Sequence, residues 1–162
     1  SMNGNSLELS LLKAAKSPDF NADVHEHDFT YAIYPWEGTF EESDVVRQGY
    51  DLNVPPQIMQ AAADAGSGNF SAGFSCDKDN CIADTIKLAE DGSGDMILRL
   101  YESKKAAVKA RIALHAFAGA RVFACTMLEE PTREVPVKDG AVELDFRAFE
   151  IKTLRVRQEK KI

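Results

Sequence analysis

Three side chains with metal-binding chemistry follow one another at alternate positions: Asp23, His25 and His27. Alternate side chains of an extended strand point to the same face, so one carboxylate and two imidazoles would lie together. A catalytic metal site commonly uses three protein ligands and leaves one position open, and His115 could complete the set. The spacing therefore raises the hypothesis of a cupin-like metalloenzyme using His25, His27 and His115. The alternative is a polar strand edge or loop that faces water.

Aromatic side chains follow directly in the same stretch, which contains Tyr31, Tyr34 and the chain's single tryptophan, Trp36. Exposed aromatic rings could form a surface on which a sugar ring stacks. The alternative is packing at the rim of the core, where aromatic side chains bury much of their area. Tyr34 and Trp36 are therefore candidates for sugar stacking in a free-standing carbohydrate-binding module.

Two further charged residues, Arg99 and Glu102, are placed by the sequence at or just after the end of a strongly apolar strand. Such positions could line a cleft or contact another domain. The alternative is an outward-facing ion pair between them, which would contribute little to the stability of the fold.

The thiol chemistry of the chain is limited. Cys76, Cys81 and Cys125 make an odd number without a C-x-x-C pair, so we expect free thiols, a reducing environment and a cytoplasmic location. Cys125 lies among apolar neighbours and is expected to be a small core residue. The sequence contains no G-x-S-x-G nucleophile motif.

Length and charge restrict the classes of partner. The chain has 162 residues, about the size of one domain, and a formal net charge of −7. An acidic protein is repelled by nucleic acid and by anionic membranes, so neither is an expected partner. No apolar run approaches the roughly 18 residues of a membrane span. The basic residues near the end (Arg155, Arg157, Lys160 and Lys161) suggest a solubilising tail.

The domain plan is simple. Ser1 before Met2 is typical of a cleaved expression tag, and residues 1–6 are expected to be a frayed lead-in. Residues 7–158 are expected to form a single domain, followed by a tail at 159–162.

Apolar residues recur with a period of two, which predicts strands. The predicted strands have these sequences: LELSLL, DFTYAIY, DMILRLYE, VKARIAL, RVFACTML, AVELDF and FEIKTLRV. Turn residues separate them, as at Glu90–Asp95, around Pro131, and at Asp139-Gly140, a strong hairpin signal. The exceptions are a short helix or a turn-rich excursion after a Ser43 N-cap, and a loop from Pro55 to Gly68. The pattern predicts an all-β fold, an antiparallel β-sandwich with at most one short helix.

Several ordered segments carry a resemblance to a known family. The stretch beginning at Leu11, LLKAAKSPDFNADVHEHDFTYAIYPWEGTF, resembles a pattern of the α-mannosidases of glycoside hydrolase family 38, LLRSPKYPDP-AD-G-H-FTYALYPH-G-W. The order continues through YDLNVPP, DTIKLAEDGSGDMILRLYE and FRAFEIKTLRV, so the resemblance covers most of Leu11–Val156. It is greatest for the cytosolic and bacterial branch.

The resemblance implies a non-catalytic carboxy-terminal, supersandwich-like domain of a much longer enzyme. In such enzymes an α/β barrel binds zinc through two histidines and two aspartates, and carboxylates carry out retaining hydrolysis of α-mannosides. None of those catalytic motifs is found here, so catalytic residues and cofactor are expected outside this chain. The implied partners are the parent's catalytic domain and, through it, a mannose-containing oligosaccharide.

Some residues depart from the family pattern. Asp23, His27 and Phe29 match it, whereas His25 replaces a glycine and Trp36 replaces a histidine. The resemblance therefore leaves Asp23, His27, Arg99 and Glu102 as candidates for contact with the cleft or the barrel. A domain cut from its partner should also expose an apolar face, through which two copies could pair.

Overall fold

The computed structural model describes residues 2–56, 58, 60 and 73–158. Most of the loop predicted from Pro55 to Gly68 and the tail at 159–162 lie outside the described residues. Within this described part, the chain forms one α-helix, one 3-10 helix and ten strands: α1 (Val45–Asn53), the 3-10 turn (Phe40–Glu42), β1 (Met2–Asn3), β2 (Ser6–Leu7), β3 (Ser75–Cys76), β4 (Cys81–Leu88), β5 (Met96–Glu102), β6 (Val108–Ala113), β7 (Arg121–Cys125), β8 (Pro131–Val135), β9 (Ala141–Phe146) and β10 (Ile151–Arg157). Among the described residues, no helix has the length and apolar character needed to span a membrane.

Two antiparallel sheets form a β-sandwich, which confirms the predicted fold. The larger sheet has the strand order β4-β5-β10-β7-β8, and the smaller has the order β3-β6-β9. Their facing side chains make one core, with these buried members: Leu98, Leu100, Ala110, Ile112, Val122, Val142, Leu144, Phe146, Leu154 and Val156. Burial of these apolar groups is the main favourable contribution to folding.

The period-two patterns are confirmed in the sandwich. In β9, Val142, Leu144 and Phe146 are buried whereas Glu143 and Asp145 are exposed. The predicted Asp139-Gly140 hairpin turn is also present, with positive φ at both residues (48° and 68°). Its backbone hydrogen bonds join Lys138 and Ala141 at 2.8 and 2.9 Å. Two consecutive left-handed residues are characteristic of a type I′ turn, whose twist suits two antiparallel strands.

The two edge strands of the larger sheet, β4 and β8, were harder to detect in the sequence. The segment around Pro131 was predicted as a turn, but β8 begins at Pro131 and buries only Val135. Since β8 pairs with β7 alone, it is an edge strand, where proline costs no ladder hydrogen bond. On the other edge, β4 contains an irregularity between Ala83 and Thr85 that interrupts its alternation.

The predictions for the first 54 residues are partly wrong. Residues 8–39 contain no helix and no strand, so the predicted strands in LELSLL and DFTYAIY are absent except for Leu7 in β2. A short hairpin of β1 with β2 replaces the predicted frayed lead-in. The predicted helix is confirmed as α1, although its N-cap is Asp44, not Ser43. The boundary of a single domain at residue 7 stays a prediction.

Candidate functional site: an exposed apolar segment and its surroundings

The most unusual surface of the molecule belongs to the segment of residues 7–54, here called the amino-terminal segment. Its large apolar side chains are exposed: Leu7, Leu9, Leu11, Leu12, Phe20, Val24, Phe29, Tyr31, Ile33, Tyr34, Trp36, Phe40, Leu52 and Val54. Ile33 keeps 81% of its surface exposed, and Leu7 keeps 71%. Single exposed apolar side chains are ordinary, but a whole segment of them marks a surface that binds another molecule or domain.

The aromatic candidates for sugar stacking lie together within this segment. The rings of Tyr34 and Trp36 are stacked, with centroids 6.2 Å apart and planes inclined by 24°. Next to them is an open groove of about 530 Å³ between residues 32–34 and α1, lined by Ala32, Ile33, Tyr34, Val45, Gly49 and Leu52, among others. The structure thus supplies an aromatic platform, and sugar stacking on it stays a prediction.

The acid and the two histidines do not form the strand face that their spacing suggests. Asp23 has a φ of 59°, in the left-handed region, and this interrupts the extended backbone. The Nε2 of His27 donates a hydrogen bond to the carbonyl oxygen of Asp23 at 3.0 Å. The rings of His25 and His27 still lie 3.9 Å apart, and His27 stacks on Phe29.

The third histidine lies in another part of the fold. His115 follows β6, and its Nε2 lies 2.8 Å from the hydroxyl of Ser75 in β3. Across the described residues, which include all three histidines, no group of three or more His, Cys, Asp or Glu is arranged to hold a metal ion. The hypothesis of a metal site built from His25, His27 and His115 is therefore wrong.

Arg99 has an internal structural role. It lies in the middle of β5, not at the end of a strand, which corrects the sequence interpretation. Its Nε donates to the hydroxyl of Thr153 at 3.3 Å, and its Nη2 donates to the carbonyl of Met127 at 3.1 Å. The guanidinium therefore fastens the loop between β7 and β8 to the outer face of the larger sheet.

Glu102 is buried, with no exposed surface, so its side chain cannot contribute to a contact surface in this structure. Its Oε1 accepts hydrogen bonds from the side chain of Asn80 (2.9 Å) and the backbone of Lys104 (2.7 Å), and its Oε2 accepts one from the backbone of Phe149 (2.9 Å). Burial raises the pKa of this carboxyl, but these hydrogen bonds outweigh it and hold the pKa below its usual value. Glu102 thus joins three loops at one end of the sandwich.

A second buried charged cluster was missed at the sequence level. Arg155, interpreted there as part of a solubilising tail, is buried in β10. Its guanidinium donates to Asp95 at 2.5 Å and to Asp91 and Ser93 at 2.7 Å. The bonds from Ser93 and Arg155 hold the pKa of Asp91 well below its usual range. Two signals could have revealed the cluster: Arg155 sits between apolar residues in LRV, and the turn EDGSGD supplies the acids.

The helix α1 is tied to the larger sheet by polar contacts. The hydroxyl of Tyr50 donates to Asp84 at 2.9 Å and accepts from the hydroxyl of Tyr101 at 3.2 Å. The contact with Tyr101, burial and the acid Asp84 together raise the pKa of Tyr50. Arg47 adds a bond to the carbonyl of Asp79 at 3.1 Å. The helix therefore anchors one end of the amino-terminal segment on the sandwich.

The three cysteines are free thiols, as predicted. Burial raises the pKa of Cys81, and contact with the thiol of Cys76 raises it further. Cys125 is half-buried and pairs with Thr153 on the outer face of the larger sheet, outside the main core, contrary to the sequence interpretation.

These features define a β-sandwich domain that carries a long exposed apolar segment. Residues 80–154 match the family described as Glycosyl hydrolases family 38 C-terminal beta sandwich domain. The chain belongs to this family, as the sequence resemblance implied.

Comparison with individual relatives extends the similarity to nearly the whole chain. Alpha-mannosidase 2C1 of Mus musculus is 36% identical over 159 residues, which cover 95% of this chain and 15% of the relative. Alpha-mannosidase 2C1 of Homo sapiens is 33% identical over 158 residues, with the same two coverages. Alpha-mannosidase G of Dictyostelium discoideum is 33% identical over 156 residues, covering 94% of this chain and 14% of the relative. The chain thus spans about one seventh of the length of these relatives.

Proposed function

We propose that this chain is the non-catalytic C-terminal domain of a zinc-dependent retaining α-mannosidase, and that it packs on the catalytic part of that enzyme and supports it. The parent would hydrolyse α-mannosides, with its zinc and catalytic carboxylates outside this chain. We further propose a cytoplasmic location, supported by the three free thiols. The net charge of −7 supports a partner that is neither nucleic acid nor an anionic membrane.

The observation that carries the proposal is the exposed amino-terminal segment. It is apolar, it makes no sheet with the sandwich, and it belongs to a chain that aligns with only 15% of a longer relative. Leaving this much apolar surface in water is unfavourable, at roughly 25 cal/mol per Å². Packing against the remainder of the parent would remove the cost.

The test places one charge in the segment and compares two proteins. Ile33→Asp is introduced into the parent enzyme and into the isolated chain. In the isolated chain Ile33 is exposed, so its thermal midpoint should not change. In the parent, the aspartate would be buried without a partner, so the enzyme should lose thermal stability and its hydrolysis of p-nitrophenyl α-mannoside should fall after mild heating.

The matched control is Leu128→Asp. Leu128 is 82% exposed, like Ile33, but it belongs to the loop between β7 and β8 and not to the amino-terminal segment. A parent whose stability and activity are the same with Ile33→Asp as without it would contradict the proposed packing.

The stacked pair of Tyr34 and Trp36 favours a second candidate, a carbohydrate-binding module that acts on its own. Aromatic faces at this separation can cover one face of a sugar ring. Calorimetric titration of the isolated chain with mannose and methyl α-mannoside tests it. Saturable binding that disappears in Trp36→Ala would support this function. If no heat of binding is detected, the carbohydrate-binding function is wrong.

A further inference from the structure

The stretch Phe29–Tyr34 has the sequence of a strand but none of the hydrogen bonds of one. Phe29, Tyr31 and Ile33 alternate with Thr30, Ala32 and Tyr34, and every member except Ala32 is aromatic or β-branched. Such residues favour a pleated, half-buried surface. Residues 25–38 form no backbone-to-backbone hydrogen bond with any residue that the structure describes.

Comparison with β9 shows what is missing. Both stretches place three large apolar side chains at alternate positions. In β9, which pairs with β6, Val142, Leu144 and Phe146 are at most 4% exposed. In Phe29–Tyr34, the corresponding side chains are 46%, 63% and 81% exposed. β9 has both a hydrogen-bonded neighbour, β6, and a facing sheet that buries its apolar side chains, whereas among the described residues Phe29–Tyr34 has no strand neighbour. A strand needs such a neighbour for its backbone donors and acceptors.

We propose that residues 29–34 become a β-strand by hydrogen bonding to the edge of a sheet in the remaining part of the parent polypeptide. This inference rests on the proposed function and adds the mode of contact, strand addition, in which backbone bonds give affinity and alternate side chains give specificity. The contact would extend a sheet of the parent by one strand supplied from this chain.

The sheet edge that binds this strand is inferred from how much of the relative's polypeptide lies outside the part that aligns with this chain. The alignment with the Mus musculus relative covers 95% of this chain, and residues 29–34 lie well inside it, while 85% of the relative lies beyond. A sheet edge on the same polypeptide meets the strand at a high effective concentration, which favours it over a second copy.

Amide hydrogen exchange at single-residue resolution tests the proposal on both proteins. In the isolated chain, the amides of residues 29–34 should exchange at the rate of an unstructured peptide, whereas those of β9 are protected. In the parent, at least every second amide of residues 29–34 should exchange about 100-fold more slowly or slower still. Alternate protection is expected for one neighbour and continuous protection for two, since successive N–H groups point to opposite sides.

A pair of variants separates backbone bonding from side-chain packing. Thr30→Pro removes one N–H donor, whereas Thr30→Val keeps it and preserves the shape of the side chain. Both variants should leave the isolated chain unchanged, because the N–H of Thr30 donates to no backbone carbonyl of the described residues. In the parent, Thr30→Pro should abolish the protection and lower the thermal midpoint, and Thr30→Val should do neither.

Three other outcomes would each contradict the inference, and they can be distinguished from one another. If Ile33→Asp destabilises the parent while the amides stay unprotected, the strand is wrong and the proposed packing stands. If neither effect is seen, both proposals fail. If protection develops in the isolated chain as its concentration rises, the partner is a second copy, and the inference of a strand within the parent is wrong.

Discussion

At the scale of single residues, the burial of a charged side chain distinguishes residues with a structural role from candidates for contact with another domain. Glu102 and Arg155 are both buried, and each has a full set of partners within the sandwich. Buried charges are tolerated only when hydrogen bonds replace the lost water. Asp23 and His27 are hydrogen-bonded to each other in the exposed segment, and contact with another domain stays a prediction for them.

Glu102→Gln should destabilise the sandwich by about 2 kcal/mol at pH 7. Both carboxylate oxygens accept hydrogen bonds from N–H donors, so the new amide group must face a donor on one side. Urea unfolding followed by circular dichroism measures the change. The control is Glu143→Gln, whose exposed ion pair with Lys109 should leave the unfolding midpoint unchanged. Equal midpoints for the two variants would contradict the structural role of Glu102.

The same carboxyl predicts a dependence of stability on pH. The pKa of Glu102 is lower in the folded chain than its ordinary value of 4.5, so its contribution to stability is complete above that pH. As the pH falls below 4.5 the unfolded state binds the proton first, and the contribution is lost. Unfolding free energies measured from pH 7 to pH 3 should therefore converge for the wild type and Glu102→Gln. A difference that stays constant over this range would show that the pKa is not depressed.

At the scale of elements, local sequence specifies the turns and the one helix. Asp139-Gly140 forms the predicted hairpin turn, and α1 follows the predicted cap within one residue. Strands β5, β6, β9 and β10 match their period-two patterns because each has one face toward the core. The edge strands β4 and β8 were not predicted, since their irregular pairing or exposure removes that pattern.

Two glycines should respond oppositely to alanine. Gly140 has a φ of 68° in the type I′ turn, so Gly140→Ala should cost about 1 kcal/mol. Gly49 lies inside α1, where an added Cβ meets no atom within 4 Å, so Gly49→Ala should stabilise the helix by about 0.5–1 kcal/mol. Thermal unfolding of both variants checks the opposite signs. If both substitutions shift the thermal midpoint in the same direction, the account of either the turn or the helix is wrong.

At the scale of the whole molecule, the sandwich and the amino-terminal segment contribute differently. None of residues 3–38 is buried, whereas the core is built from the two sheets and residues that flank their strands, such as Leu114 and Ala120. Stability therefore resides in the sandwich, and the exposed segment remains available for association. In the isolated chain, the apolar side chains of this segment could also bind those of a second copy, because the partner domain is absent.

Removing residues 1–38 should change the free energy of unfolding by less than about 1 kcal/mol, because none of residues 3–38 has a buried side chain. The same deletion should reduce self-association and binding of an apolar dye, since it removes most of the exposed apolar segment. Urea unfolding and sedimentation velocity over a range of concentrations measure the two effects. A deletion that unfolds the sandwich would show that the segment is part of its core.

The sequence by itself determined the β class, the central strands, the hairpin turn and the family, because these depend on local periodicity, turn residues and ordered motifs. Tertiary structure alone decided which charges are buried, since Glu102 and Arg155 acquire their partners from loops distant in the chain. It also decided that His115 lies with Ser75 and not with His25 and His27. Among the described residues, Phe29–Tyr34 has no strand neighbour, because a strand pattern specifies which faces are apolar but not which neighbour completes the sheet.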